Sequence, residues 1–219
     1  MKVAVLYSGG KDSCASLHWA RLGGHAIECL VGVVPESRDS FMYHVPGTEI
    51  VDLFSEALGA RLVKVAAPQK DEFRPLKKAL GELDIDGVVT GAVRSEFQKL
   101  RIDRICGQLG LEHLAPFWHA DPEKHIRDIL AAGFEVIFTG VAAEGLGEDW
   151  LGRRLDAGAL DELRGLHDKY GINIEGEGGE YETLAIFGPT HKKRIVLDEF
   201  SREWRRDSGR IHITKAHLE

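Results

Sequence analysis

Ser8-Gly9-Gly10-Lys11-Asp12-Ser13 is the first stretch of the sequence whose make-up and order suit a specific chemistry. Two glycines let main-chain N–H groups approach an anion, two serines add hydroxyls, and a helix beginning at Lys11 would aim its partial positive end at the same place. That chemistry is phosphate binding. The spacing is neither the G-x-x-x-x-G-K-[ST] of a Walker A loop nor the G-x-G-x-x-G of a dinucleotide site. A second candidate runs from Gly176 to Thr183 (GEGGEYET), where Glu177, Glu180 and Glu182 crowd a glycine-rich backbone, a pattern suited to holding a cation or accepting a proton. A third is the run from Gly91 to Arg101, in which Arg94 and Arg101 could meet phosphate or carboxylate while Ser95 and Gln98 also fit a capping box. Cys14 follows the phosphate loop without a cysteine partner and reads as a small core residue, and His119, His125 and His167 lack the spacing of a metal site.

The elements that must position these residues alternate regularly. Lys2 to Tyr7 (KVAVLY) has the apolar, β-branched look of a buried parallel strand, and a helix is expected from Lys11 to Leu22. Strands are expected at Ala26 to Val34, Arg61 to Ala66, Asp86 to Gly91 and His113 to Pro116. The helices between them run from Gly47 to Leu58, Asp71 to Leu83 and Glu96 to Leu109. Five strands separated by helices imply β-α-β crossovers, hence a doubly wound parallel sheet with the 8–13 loop at a carboxyl edge, where such sheets bind ligands. Asp121-Pro122-Glu123 then opens a helix to Ala132, Glu135 to Gly140 is a strand, and a helix spans Ala157 to Tyr170. The last thirty residues read as an antiparallel hairpin turning at Asp207-Ser208-Gly209. The division expected is residues 1–118 for nucleotide binding and 119–219 for a smaller α/β substrate-binding domain ending in that hairpin.

Composition sets the outer limits. The 219 residues are 43% hydrophobic and 29% charged, which is globular. A net charge of −7 argues against stable nucleic-acid binding, whose affinity rests on neutralising phosphates. The last 28 residues nevertheless carry eight basic and five acidic side chains, and Arg202, Arg205, Arg206 and Arg210 are expected to help dock a protein substrate. Three scattered cysteines give neither a disulfide framework nor a zinc ribbon. With no cleavable signal and no apolar run near the ~18 residues of a membrane helix, a cytoplasmic protein is expected.

SGGKDS after a strand resembles the S-G-G-x-D-S signature of the pyrophosphate-loop ATPases, and GAVRSEFQKLR with GEGGEYET resembles the diphthine–ammonia ligase family over essentially the whole chain. The resemblance implies an adenine nucleotide alpha hydrolase-like, Rossmann-like fold. It also implies ATP-dependent amidation of diphthine on translation elongation factor 2 with ammonium, through an acyl-adenylate, giving diphthamide, AMP and pyrophosphate. ATP and Mg²⁺ are the cofactors expected, and a homo-oligomer is compatible with this reading. Asp12, Glu180 and Glu182 are the catalytic candidates, with Asp12 also the metal ligand. Ser8, Gly9, Gly10, Lys11, Asp12, Ser13, Gly91, Arg94, Ser95, Arg101, Glu177, Gly178, Gly179 and Thr183 are expected to bind the nucleotide. Tyr181 or Trp118 could seat the trimethylammonium group of diphthine. The alternatives are a pyrophosphate-loop enzyme acting on tRNA, which would usually need catalytic cysteines or a basic RNA-binding module, and a nucleotide-binding module without catalysis.

Overall fold

The computed structural model describes residues 1–35, 48–68 and 73–219. The expected helix starts at Gly47 and Asp71 lie outside them. The first half alternates β1 (Lys2–Leu6), α1 (Lys11–Leu22), β2 (Ala26–Pro35), α2 (Thr48–Leu58), β3 (Leu62–Ala67), α3 (Phe73–Gly81), β4 (Gly87–Val89), α4 (Glu96–Leu109) and β5 (Glu112–Leu114). Its strands form one parallel sheet in the order β3-β2-β1-β4-β5. The chain therefore winds outward from β1 and returns to its other side, which places the topological switch point between β1 and β4.

Both faces of this sheet are covered, which is why its strands read as nearly continuous apolar runs. Val3 and Val5 face α1 and α2, whose Leu17, Phe54 and Leu58 are buried against them. Ala4 faces the other way, toward Leu76 and Leu80 of α3 and Ile102, Ile105 and Cys106 of α4. A period of two along β1 thus separates two cores.

The second half contains α5 (Pro122–Ala131), β6 (Glu135–Val141), a 3₁₀ turn at Glu148–Trp150, β7 (Arg154–Leu155), α6 (Ala157–Tyr170), β8 (Tyr181–Phe187), β9 (Ile195–Arg205) and β10 (Ser208–Leu218). β6 is the hub: it pairs antiparallel with β8, β7 and β10, and β10 carries β9 as the hairpin expected. The turn differs from expectation, since Arg206 (φ 56°) and Asp207 make it while Ser208 and Gly209 already belong to β10. Gly209 is reserved for packing: it stands opposite Trp204, whose ring occupies the space a side chain would need. Phe138 and Leu163 join the core that contains Val5 and Leu17, so the apolar interior continues from the first sheet into the second.

Candidate functional site

The 8–13 loop joins β1 to α1. Gly9 has φ 84° and lies so close to α2 that a Cβ there would overlap the Phe54 ring, so glycine is required twice over. Ser13 fastens the loop internally, its Oγ accepting from the Ser8 N–H at 3.3 Å and donating to the Gly10 carbonyl at 2.9 Å. The outer fastening comes from β8. Thr183 Oγ1 accepts from the Lys11 N–H at 3.2 Å, and the Ala185 N–H donates to the Gly9 carbonyl at 2.8 Å. Two motifs more than 160 residues apart therefore form one structure. Gly91, just past β4, closes the other side, where a Cβ would stand 2.6–2.7 Å from backbone atoms of Asp12 and Ser13.

Lys11 points inward. Its side chain is 4% exposed, and Nζ donates to Asp12 Oδ2 at 2.8 Å and to the Glu175 carbonyl at 2.6 Å. Asp12 Oδ1 meets His125 Nε2, from α5, at 2.9 Å. Burial pushes the Asp12 carboxyl upward, but Lys11 and His125 outweigh it and hold it below its usual value. Burial is likewise the largest single influence on the Lys11 ammonium and disfavours it, but the charge and hydrogen bond of Asp12 together with Tyr181 and Glu177 outweigh it, leaving its pKa raised.

Arg94 bridges from the β4–α4 connection. Its Nε donates to Glu175 Oε1, its N–H to Glu177 Oε2 at 3.2 Å, and Nη2 to the Ala120 carbonyl at 3.4 Å. The Glu175 side chain is 2% exposed, and its Oε2 has no partner among the described residues. Burial, then the Asp12 charge, push the Glu177 carboxyl upward against the opposing pull of Lys11 and the N–H groups of Arg94 and Ser95. The arrangement is a partly buried constellation of carboxylates and cations beside a helix N-terminus. It can hold an anion on the loop and present a carboxylate of raised proton affinity next to it.

The structure thus brings together Ser8 through Ser13, Gly91, Arg94, Ser95, Glu177 and Thr183. Ser95 also caps α4, accepting from the Gln98 N–H at 3.4 Å. Glu180 braces its own loop: Oε1 accepts from the N–H and Nδ2 of Asn173 at 3.0 and 2.6 Å, and Oε2 from the Gly178 N–H at 2.8 Å. Gly179 takes φ 86° in the same turn. Glu182 stands opposite Gly140 of β6, with its carboxylate against that glycine. Arg101 lies elsewhere, with its guanidinium over the rings of Phe97 and Phe73 on the side of α4 that meets α3. Asp12 has both oxygens engaged, and no group of three His, Cys, Asp or Glu side chains suited to a metal gathers among the described residues.

Tyr181 is buried, with its hydroxyl on the Ile174 carbonyl at 2.5 Å, and Lys99 Nζ sits 5.5 Å from the Trp118 ring centroid, so neither aromatic offers a vacant cation seat. Cys14 is buried beside Tyr7, and burial lifts its thiol to about 12, which removes it as a nucleophile. In the hairpin, Arg202 donates to the Leu151 carbonyl and Arg205 pairs with Glu203. Two site residues escaped the sequence reading. His125 shares a buried helix face with Ile126 and Ile129, a pattern that signals core alone, and Glu175 precedes a motif whose other glutamates drew attention.

Residues 1–113 match the diphthamide synthase N-terminal domain and residues 121–218 the diphthamide synthase C-terminal domain. A protein of Danio rerio named diphthine–ammonia ligase is 34% identical across 100% of this chain and 97% of its own length. This chain belongs to the diphthine–ammonia ligase family. Other diphthine–ammonia ligases similar to it include one from Homo sapiens, 32% identical over 90% of this chain and 83% of that protein, and one from Schizosaccharomyces pombe, 37% identical over 91% and 36%. A solved structure titled a predicted subunit of tRNA methyltransferase, from Methanocaldococcus jannaschii, covers 89% of this chain and 99% of its own at 16% identity and TM-score 0.44, too distant to bear on function. Among the described residues, no helix of this ligase-family chain is long and apolar enough to cross a membrane.

Proposed function

We propose that this chain amidates diphthine on translation elongation factor 2, using ATP and ammonium and releasing AMP and pyrophosphate. The observation that carries the reading is the clamp of Thr183 and Glu175 on Lys11, which fixes the family's C-terminal motif against a phosphate-binding loop. The donor set suits a triphosphate: serine hydroxyls, glycine-lined backbone and a helix N-terminus. It does not suit Mg²⁺ as a protein-held ion, because Asp12 is already shared between Lys11 and His125, so any Mg²⁺ would be carried by the phosphates.

The diphthine carboxylate attacks the α-phosphorus of ATP and displaces pyrophosphate, and ammonia then attacks the acyl carbon and displaces AMP. Ammonium loses one proton before attack and a second as the adduct collapses. The 8–13 loop and Arg94 stabilise charge on the phosphates by preorganised donors. Glu177 accepts the first proton in this reading, supported by its raised proton affinity and its contact with the Arg94 N–H, and Glu182 stands one residue from the Thr183 clamp. Glu180 acts by shaping the turn that carries Glu177. The test is incubation with ATP, ammonium and diphthine-bearing elongation factor 2, with intact mass read for conversion of carboxylate to amide. Absence of conversion in wild-type protein would overturn the reading.

A further inference from the structure

The parallel sheet forces α3 and α4 to begin at its carboxyl edge, the edge that carries the 8–13 loop, and between them lies a cavity of about 300 Å³. Phe73, Arg74 and Lys77 of α3 and Arg101, Arg104 and Ile105 of α4 line it. Three of these side chains, Lys77, Arg101 and Arg104, bring positive charge together on a chain whose net charge is −7. The Arg101 guanidinium is held over two phenyl rings, 3.0 Å from the Phe97 centroid and 4.8 Å from that of Phe73. A guanidinium held against aromatic faces in this way keeps a permanent charge and the forked donors that match a carboxylate. Asp103, the acidic residue between Arg101 and Arg104, is turned to Lys99 and His113, at 2.7 and 2.6 Å. Beside the cavity, Phe97 is 52% and Leu100 64% exposed, adjoining apolar side chains on the first turns of α4.

We infer that this α3–α4 groove docks an acidic, apolar-flanked surface of the protein that bears diphthine. The inference rests on the function proposed above and gives it a substrate-binding surface. Charge complementarity supplies the first argument, and position the second, because α4 starts at the Ser95 cap, four residues beyond Gly91, and carries exposed Phe97 and Leu100 on the turns between that start and the groove. A protein surface fits better than nucleic acid. The groove is short, its cations are interleaved with exposed aliphatic and aromatic side chains, and the acidic remainder of the chain repels an extended phosphate backbone.

The test measures direct binding of diphthine-bearing elongation factor 2 to the full chain without ATP, alongside amide formation. Lys77→Glu with Arg104→Glu should weaken binding and raise the KM for the protein about ten-fold, flatten the salt dependence, and leave the KM for ATP unchanged. Lys77→Gln with Arg104→Gln should show the same direction to a smaller degree should the reversal variant fail to fold. Phe97→Ser with Leu100→Ser should weaken binding at unchanged salt dependence. Wild-type binding by the charge-reversed, folded variant overturns the inference, as does wild-type protein that fails to bind the substrate protein. Loss of single-stranded RNA binding in the variants with an unaltered KM for the protein overturns it too. Binding that depends on the groove without amide formation supports the docking surface and instead refutes the proposed reaction.

Discussion

Arg94→Ala should destabilise the fold far more than Glu175→Gln, although each removes the same ion pair. The asymmetry follows from burial: the Glu175 side chain is 2% exposed and that of Arg94 43%. Without Arg94 the carboxylate stays inside with neither oxygen paired, since Oε2 already has no partner among the described residues. Stranding a buried charge costs about 3–5 kcal/mol. For a chain of this size each kcal/mol moves the Tm by roughly 2–4 °C, so a fall on the order of 6–20 °C is expected. Glu175→Gln keeps the shape and an acceptor for Nε, and Arg94 retains water on its exposed side, so its cost is about 1 kcal/mol or less. The double variant should recover most of the stability lost in Arg94→Ala, because it removes the stranded charge. Thermal denaturation of the three variants by circular dichroism measures all of this. A Tm for Arg94→Ala within about 2 °C of wild type, or a double variant no better than Arg94→Ala, would show that loss of Arg94 does not strand the Glu175 carboxylate.

Three further outcomes are expected. Gly91→Ala drives a methyl into the backbone of Asp12 and Ser13, which cannot rotate aside, so stability should fall by about 1–3 kcal/mol and amide formation by roughly 100-fold; wild-type turnover would show that the loop tolerates displacement. Glu180→Gln offers one acceptor oxygen where the carboxylate serves three donors, so pyrophosphate release and amide formation should decline together, whereas a loss confined to amide formation would give Glu180 a part in the second step. Glu177 carries a raised pKa in the fold, so it protonates at higher pH than an ordinary glutamate (~4.3) and the acidic limb of kcat/KM should lie above that range. The same sign makes its contribution to stability complete below the unfolded value and lost as pH rises through the folded one. Glu177→Gln should abolish the limb, and an unchanged limb would remove Glu177 from the assignment.

Periodicity made the sheet legible. Burial on both faces leaves β1 and β2 almost purely apolar, and the caps at Ser95 and Asp121 mark helix starts by residue type alone, as their side-chain bonds to Gln98 and Lys124 bear out. β7 was not legible, because two residues, Arg154 and Leu155, carry no period and owe their strand to pairing with β6. β8 is legible only as a motif, since Tyr181, Glu182 and Thr183 look polar and gain their strand geometry from β6. For the site, residue type marks the glycine loops, while Thr183 enters only through the family resemblance. Local signals could not place His125 on Asp12 or Glu175 on Arg94, contacts across 113 and 81 residues fixed by how the second sheet packs on the first. Arg101 shows the converse, as nearness in sequence to Arg94 did not survive the turn of α4 toward α3.

In the proposed reaction the loop held by Thr183 and Glu175 serves cleavage between the α- and β-phosphates to activate a carboxylate. A single turnover with diphthine-bearing elongation factor 2, ATP and isotopically heavy ammonium tests it most directly when nucleotide products and the protein's mass are followed together. AMP, pyrophosphate and labelled amide should form in equal amounts and be lost together in Asp12→Ala. Amide formed with ADP and phosphate, or with ATP untouched, would contradict the proposed reaction.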